Sequence, residues 1–188
     1  MGKQLWKPGN MLYPIPAVLI SVADKDGNPN LFTASWVGTV CSDPPMVSVS
    51  VRPERYSYHM IEETGEFVVN LTTKQLARAA DYCGVRSGRD ENKWEGAGLT
   101  PVTGTKVRAP YVKESPVNIE CKVTNKLALG THDMFIGTVV AVLVDDAYMD
   151  EKNAFHLEQA EPIVYSHGTY HELGAALGKF GFSVKKSV

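Results

Sequence analysis

Asn30-Leu31-Phe32-Thr33-Ala34-Ser35-Trp36, followed by Ser42-Asp43-Pro44-Pro45-Met46-Val47-Ser48-Val49-Ser50-Val51-Arg52-Pro53-Glu54-Arg55-Tyr56-Ser57, decides how this chain is read. Between Met46 and Val51 the residues alternate, with Val47, Val49 and Val51 on one face and Ser48 and Ser50 on the other. Alternation of period two is the signature of a strand with one face in the core. Asn30–Val37 reads as a second strand. The two stretches carry hydroxyls (Thr33, Ser35, Ser48, Ser50, Ser57), the guanidinium groups of Arg52 and Arg55, and the indole of Trp36. Such groups suit a flat, phosphorylated, heteroaromatic ligand.

Working outward, Ala17–Ala23 is apolar on both faces and is separated from Asn30–Val37 by Asp24-Lys25-Asp26-Gly27-Asn28-Pro29, which predicts a hairpin. A helix is expected from about Ser57 to Thr64, closed by Gly65, and a strand over Phe67–Leu71. Thr72-Thr73-Lys74-Gln75 offers a capping box for a second helix carrying Leu76, Ala79, Ala80 and Cys83 up to Gly84. From Gly84 to Pro110 the chain is glycine-rich and aperiodic, the mark of a long binding loop. Val117, Ile119, Cys121, Val123, Leu127 and Leu129 then share one face of a long strand whose other face carries Asn118, Glu120, Lys122, Thr124 and Lys126. Met134–Val144 is apolar on both faces, so the outer one calls for a dimer partner or a packed helix. The whole, residues 1–188, reads as one mainly β domain with a few helices, of the β-barrel type.

The bulk numbers narrow the functions. The chain has 188 residues, of which 44% are hydrophobic and 21% charged, with a formal net charge of -2. A chain of this size buries roughly 70% of its unfolded surface, so it needs no disulfide or metal to fold. The slight negative charge argues against a nucleic-acid or anionic-membrane binder. Three widely spaced cysteines, without a C-x-x-C, suit reduced thiols in the cytoplasm. No stretch approaches the ~20 apolar residues of a membrane-spanning helix. The sequence has no G-x-S-x-G, no catalytic cysteine signature, no Walker spacing and no Rossmann fingerprint. Chemistry is therefore expected from a cofactor rather than from a side-chain nucleophile.

Each candidate also has a plainer reading. Ser57 at a helix start, with Arg52 and Arg55 nearby, would make a phosphate site; a serine there serves equally as the N-cap of a helix whose arginines are solvated. Gly84-Val85-Arg86-Ser87-Gly88-Arg89-Asp90-Glu91-Asn92-Lys93-Trp94 joins cations to flexible backbone, with Lys93 as a mobile point charge, or is a solvated loop with Trp94 in the core. Trp36, after the small Thr33, Ala34 and Ser35, either covers a ring system or fills the core. His132, in the connection Gly130–Asp133, either projects from a barrel mouth or is an exposed turn residue. His167 and His171 have i, i+4 spacing, but Gly168 and Gly174 weaken a helix there, and no metal site is expected.

These motifs resemble, in order, those of the flavin reductase-like, flavoredoxin-type family. The likeness spans about Tyr13 to Gly174 and rests on Asn30-x-x-Thr-Ala-Ser-Trp36, Pro44-Pro45-x-Val-x-Val-Ser-Val-Arg52-Pro53, Asp81-Tyr82-Cys83-Gly84-x-x-Ser87-Gly88-Arg89 with Lys93, His132-x-x-Phe135-Ile136-Gly137, and Tyr165 with Tyr170-x-x-Leu173-Gly174. The resemblance implies a Greek-key split β-barrel and a homodimer with FMN near the subunit interface. It implies FMN contacts from Asn30, Thr33, Ala34, Ser35, Trp36, Ser50, Val51, Arg52, Ser57, Ser87, Gly88, Lys93, His132 and Tyr165, with His132 as the candidate catalytic residue and Ser57 and Lys93 on the phosphate. The implied activity is electron transfer through the flavin from NADH or NADPH. The alternative is an FMN carrier lacking a nicotinamide site, and a further one is a related barrel that binds another ligand.

Overall fold

The computed structural model describes residues 2–184. In chain order the strands are β1 (Ile15–Pro16), β2 (Val18–Ala23), β3 (Pro29–Ala34), β4 (Val37–Ser42), β5 (Pro45–Val51), β6 (Glu66–Leu71), β7 (Pro101–Val102), β8 (Tyr111–Val112), β9 (Val117–Ala128), β10 (Asp133–Val144), β11 (Ile163–Ser166) and β12 (Thr169–Glu172). The helices are α1 (Tyr56–Thr64), α2 (Ala77–Val85) and α3 (Lys93–Ala97). Seven strands form one antiparallel sheet in the order β3-β2-β6-β9-β10-β5-β4. The chain leaves β3 at one edge and re-enters at the other as the β4–β5 hairpin. Because β3 also packs against β5, the sheet curls back on itself. The fold is the mainly β split barrel that the motifs implied.

The valines of β5 point where their alternation placed them. Val47, Val49 and Val51 are buried with Val18, Ile20 and Val22 of β2, Phe67 and Val69 of β6, and Tyr58 and Ile61 of α1. Leu19 and Leu31, on the other side of β2 and β3, pack instead with Leu76 at the N-cap of α2, with Ala79 and Cys83 of that helix, and with Trp94. This is why Ala17–Ala23 is apolar on both faces but for Ser21, whose hydroxyl donates to the carbonyl of Pro110 at 2.5 Å: a strand with both faces covered has no solvated side.

Several local expectations are corrected. The strand foreseen over Asn30–Val37 stops at Ala34, and Ser35 and Trp36 form a bend before β4, where the carbonyl of Trp36 accepts from the amide of Ser50 at 2.9 Å. β4 itself went unread, although Val37-Gly-Thr-Val-Cys-Ser42 carries β-branched residues at strand spacing. The N-cap of α1 is Arg55, not Ser57, which lies inside the first turn. The capping box at Thr72 does not form, because the Thr72 hydroxyl donates to the carbonyl of Ala17 and α2 begins only at Ala77. Gly84 lies within α2 rather than ending it; the helix stops at Arg86. The supposed loop 84–110 contains α3, capped by Asn92, and the short strand β7, which pairs with β8 just beyond it.

Glu120 shows what the polar face of β9 is for. Its carboxylate is fully buried and accepts from the amides of Thr105 and Lys106, both at 2.6 Å, and from the hydroxyl of Thr105 at 3.1 Å. The 103–110 segment is thus held over the sheet by a charge with strong donors, the condition under which a buried carboxylate is tolerated. Leu127 and Leu129, expected on the same face as Val117, Ile119 and Cys121, are exposed at the turn end of the β9–β10 hairpin, and Val142 and Val144 are exposed at its opposite end.

Candidate functional site

Two adjoining clefts, of about 350 and 550 Å³, lie where β3, the end of β5, α1 and the α2–α3 connection meet. Phe32, Thr33, Arg52 and Arg55 line both, so they form one continuous groove. All fourteen candidate residues named from the sequence line it. The tertiary fold brings together segments that the chain separates by more than a hundred residues.

The smaller cleft is cationic. Helix α1 opens into it with no side chain capping its first turn and no acidic residue there, which leaves free amides and the positive end of the dipole. Ser57 is buried, and its Oγ accepts from Asn30 Nδ2 at 2.7 Å, keeping its own proton for another acceptor. Arg52 pairs with Glu54 at 3.4 Å and Arg86 with Glu91 at 3.5 Å. Among the described residues, Arg55 has no carboxylate within ion-pair distance. Gly88 packs so tightly on Asn30 that a Cβ would fall 2.4 Å from Asn30 Oδ1.

Lys93 departs from expectation. It is not a mobile charge: it is 3% exposed, and its Nζ donates to the carbonyls of Cys83 at 2.9 Å and Arg86 at 3.3 Å, closing the C-terminal end of α2. Burial pushes its pKa down to about 8, with the positive charge of Arg55 acting in the same direction. One of its three ammonium protons is left over, and an anion in the cleft would take it. Burial pushes the neighbouring Cys83 thiol up to about 11, so it is not a thiolate nucleophile at neutral pH.

The larger cleft is less charged. Thr33 is tied down through its hydroxyl to the carbonyl of Ala80, and Ala34, Ser35, Ser50 and Val51 offer small walls. Trp36 is 37% exposed at the rim and so is not a core aromatic. The two serines of β5 part company: Ser48 is buried and turns to the carbonyl of Gly38, whereas Ser50 faces the groove. His132 sits in the β9–β10 turn, with Nδ1 3.0 Å from the hydroxyl of Thr131. Partial burial, reinforced by Arg52, holds its pKa below the ordinary histidine value, which favours a neutral ring at pH 7. Tyr165 arrives on β11, its ring 6.3 Å from that of Tyr13 and 5.6 Å from that of Tyr170.

Behind the groove, Tyr58 donates to Asp133 Oδ2 at 2.5 Å, and Lys126 reaches Tyr58 Oη at 3.3 Å while pairing with Glu62. Sequence reasoning left out Phe32, Arg86 and Arg89 as lining residues; the arginines stood in the quoted loop, but Phe32 gave no signal. Asn10 and Thr131 also line the groove and were equally silent. His167 and His171 lie on the β11–β12 hairpin, so their spacing does not put them on one helical face.

Residues 11–174 match the flavin reductase like domain. The chain is 35% identical to the flavoredoxin of Desulfovibrio vulgaris (Miyazaki F), with a TM-score of 0.90 over 98% of this chain and 100% of that one. It is 38% identical to an uncharacterized protein of Archaeoglobus fulgidus over 75% of this chain and 78% of the relative. It is also 24% identical to the NADH:riboflavin 5'-phosphate oxidoreductase of Streptomyces pristinaespiralis, over 78% and 80% respectively.

Proposed function

The chain belongs to the flavin reductase-like family, whose work is flavin-linked redox chemistry, and from that premise we propose that it binds FMN and oxidises NADH or NADPH. The observation that carries the reading is the groove itself, with a cationic end at an uncapped helix start and a neutral end walled by small residues. The donor set fits a phosphate monoester at one end and a flat ring at the other.

FMN bound there supplies a ring that takes up an electron pair and passes electrons on. The protein would hold the phosphate through the Ser57 hydroxyl, the first amides of α1, Arg55 and the spare proton of Lys93. Asn30 sets Ser57, and Gly88 leaves room for Asn30 to do so. Ala34 and Ser35 would let a ring approach the backbone, while Trp36 and Tyr165 shield it from water. His132, neutral at pH 7, offers one ring nitrogen as donor or acceptor toward the groove, the role that makes it the candidate catalytic residue.

The nicotinamide reading draws on the likeness to the Streptomyces oxidoreductase. An FMN electron carrier without a nicotinamide site is the second reading, drawing on the stronger likeness to flavoredoxin. We further place the protein in the cytoplasm as a homodimer. An absorption spectrum of the purified protein, followed by anaerobic titration with NADH and NADPH, separates the readings. Flavin bleaching on titration supports the enzyme, an unreduced bound flavin supports the carrier, and no flavin uptake at micromolar FMN overturns both.

A further inference from the structure

We propose that the N-terminal strap, residues 9–13, is part of the flavin site, with Asn10 contacting the ring and Tyr13 as the positioning residue that holds both Asn10 and Tyr165 at the ring end. The inference rests on the flavin reading above and deepens it. Asn10 lines the larger cleft together with Thr33, Trp36 and Tyr165. Gly9, Met11, Leu12 and Tyr13 line a further, mainly apolar cleft of about 590 Å³ that shares Ser35, Trp36 and Ser50 with the ring end. The strap therefore runs along the rim of the ring end.

Tyr13 is what fixes the strap there. From Gly2 to Pro14 every residue is exposed except Tyr13, which is half-buried, and Leu5, Trp6, Met11 and Leu12 hold large apolar side chains in water. A segment that buries so little of itself follows the course set by its one packed side chain. In the small sheet β1-β11-β12, Ile15 stands opposite Tyr165 and Pro16 opposite Val164; the same antiparallel register carried back two residues puts Tyr13 opposite His167. The ring centroids of Tyr13 and His167 are 4.2 Å apart. His167 has φ 47° and Gly168 φ 86°, the left-handed pair of a tight hairpin turn, a conformation uncommon for histidine. Tyr13 against its face, and the Ser166 hydroxyl 3.0 Å from its Nδ1, keep the His167 ring in place.

Tyr165 stands in a row of three rings. Its centroid is 6.3 Å from that of Tyr13 and 5.6 Å from that of Tyr170, with interplanar angles of 55° and 64°, spacings at which aromatic pairs attract. On one side the row is anchored, because Tyr170 Oη donates to Asp81 of α2 at 3.4 Å, and the end of that helix lines the smaller cleft through Cys83 and Gly84. On the other side the row ends in Tyr13. Loss of the Tyr13 ring would free Tyr165 on that side and release Asn10 from the rim. The carboxamide of Asn10 carries both a donor and an acceptor, which suits the alternating carbonyl and N–H edge of a flavin ring.

The test is titration of the intact protein, Tyr13→Ala, Tyr13→Phe, Asn10→Ala and Asn10→Asp with FMN and with riboflavin, followed by flavin fluorescence, and measurement of the reduction potential of the bound FMN. Tyr13→Ala should weaken FMN and riboflavin alike, by roughly tenfold, and restore part of the fluorescence that the aromatic wall quenches. Tyr13→Phe should behave as the unmodified protein, because the row needs the ring and not the hydroxyl. Asn10→Ala should cost both ligands about fivefold, the size of one hydrogen bond. Asn10→Asp should lower the potential by about 30 mV, a tenfold preference for the oxidised ring in a two-electron couple, since a carboxylate opposes the negative charge of the reduced ring. A loss confined to FMN in Tyr13→Ala or Asn10→Ala would put the strap at the phosphate end and overturn the inference. Unchanged affinity and fluorescence in Tyr13→Ala would overturn it too, while FMN binding by the intact protein keeps the flavin reading. Asn10 is exposed, so its variants do not depend on Tyr13 for folding, and an unchanged potential in Asn10→Asp overturns the inference even where Tyr13→Ala does not fold. Absence of FMN binding by the unmodified protein removes the inference and the flavin reading together.

Discussion

Tyr58 Oη donates to Asp133 Oδ2 at 2.5 Å, and this bond joins the two ends of the groove. Tyr58 follows Ser57 on the phosphate helix, and Asp133 follows His132 on the turn at the ring end. Tyr58→Phe leaves a buried carboxylate short of a donor, which costs about 1–3 kcal/mol. We expect lower stability in urea denaturation and a slower reduction of bound flavin by NADH, with FMN affinity changed little. Unaltered reduction kinetics would mean that the bond does not position His132.

Lys93 makes flavin binding pH-dependent with a predictable sign. Its folded pKa, about 8, lies below the unfolded value of 10.5, so folding penalises the charged form. That penalty is full below pH 8 and disappears as pH rises toward 10.5, so the flavin-free protein gains stability across that window. A phosphate in the cleft favours the ammonium, so FMN affinity should fall as pH rises through 8 while riboflavin affinity stays level. Lys93→Ala should weaken FMN by roughly ten- to a hundredfold and riboflavin far less. Equal losses, measured by fluorescence quenching at fixed ionic strength, would place the lysine away from the phosphate.

Gly88→Ala should disrupt the phosphate end through Asn30. The new Cβ would sit 2.4 Å from Asn30 Oδ1, and Asn30 cannot give way without releasing Ser57. Overpacking of this kind costs about 1–3 kcal/mol, and FMN affinity should drop with it. In an Asn30→Ala background the added cost of Gly88→Ala should vanish, since the clashing group is gone. Additive losses in the double variant would disprove the coupling.

His156 stands between Asp150, 3.0 Å from Nε2, and Glu158, 3.1 Å from Nδ1. Its pKa is raised, first by Asp150 and then by Glu158. A raised folded pKa means that the stabilisation is fully present below the unfolded value of 6.5 and is lost as pH rises through the folded value. Amide exchange of residues 150–158 should therefore speed up, relative to the core, from pH 6 to 8.5. In His156→Gln that extra acceleration should be absent.

Apolar side chains exposed at both ends of the β9–β10 hairpin predict a dimer in solution. Leu127, Leu129, Val142 and Val144 stand outside the barrel, where a closed single sheet has no second interior to receive them. Light scattering should give about twice the monomer mass, and Val142→Lys should shift it toward the monomer. A monomeric mass at all concentrations would refute the dimer.

What the sequence determined by itself was whatever depends on neighbours in the chain. The valine alternation of β5, the Asp24–Pro29 turn and the Gly65 stop each follow from local stereochemistry, and each stands in the structure. The motif order was enough to gather Asn30, Ser57, Lys93, His132 and Tyr165 into one expected site. Only the tertiary structure decided what each polar group does there. Ser57 was expected to cap α1, but Asn30, twenty-seven residues earlier, claims its hydroxyl acceptor, and Arg55 takes the cap position. Lys93 looked like a loose charge because it stands in a glycine-rich, charged stretch; the carbonyls of Cys83 and Arg86 at the end of α2 reach it only once α2 and α3 pack. Glu120 read as one polar residue on an outward face, yet it is buried because residues 103–110 fold over it with three donors. Hydrogen-bond partners far apart in the chain are chosen by competition among all groups the fold brings within about 3 Å, and that competition leaves no periodic trace in the sequence.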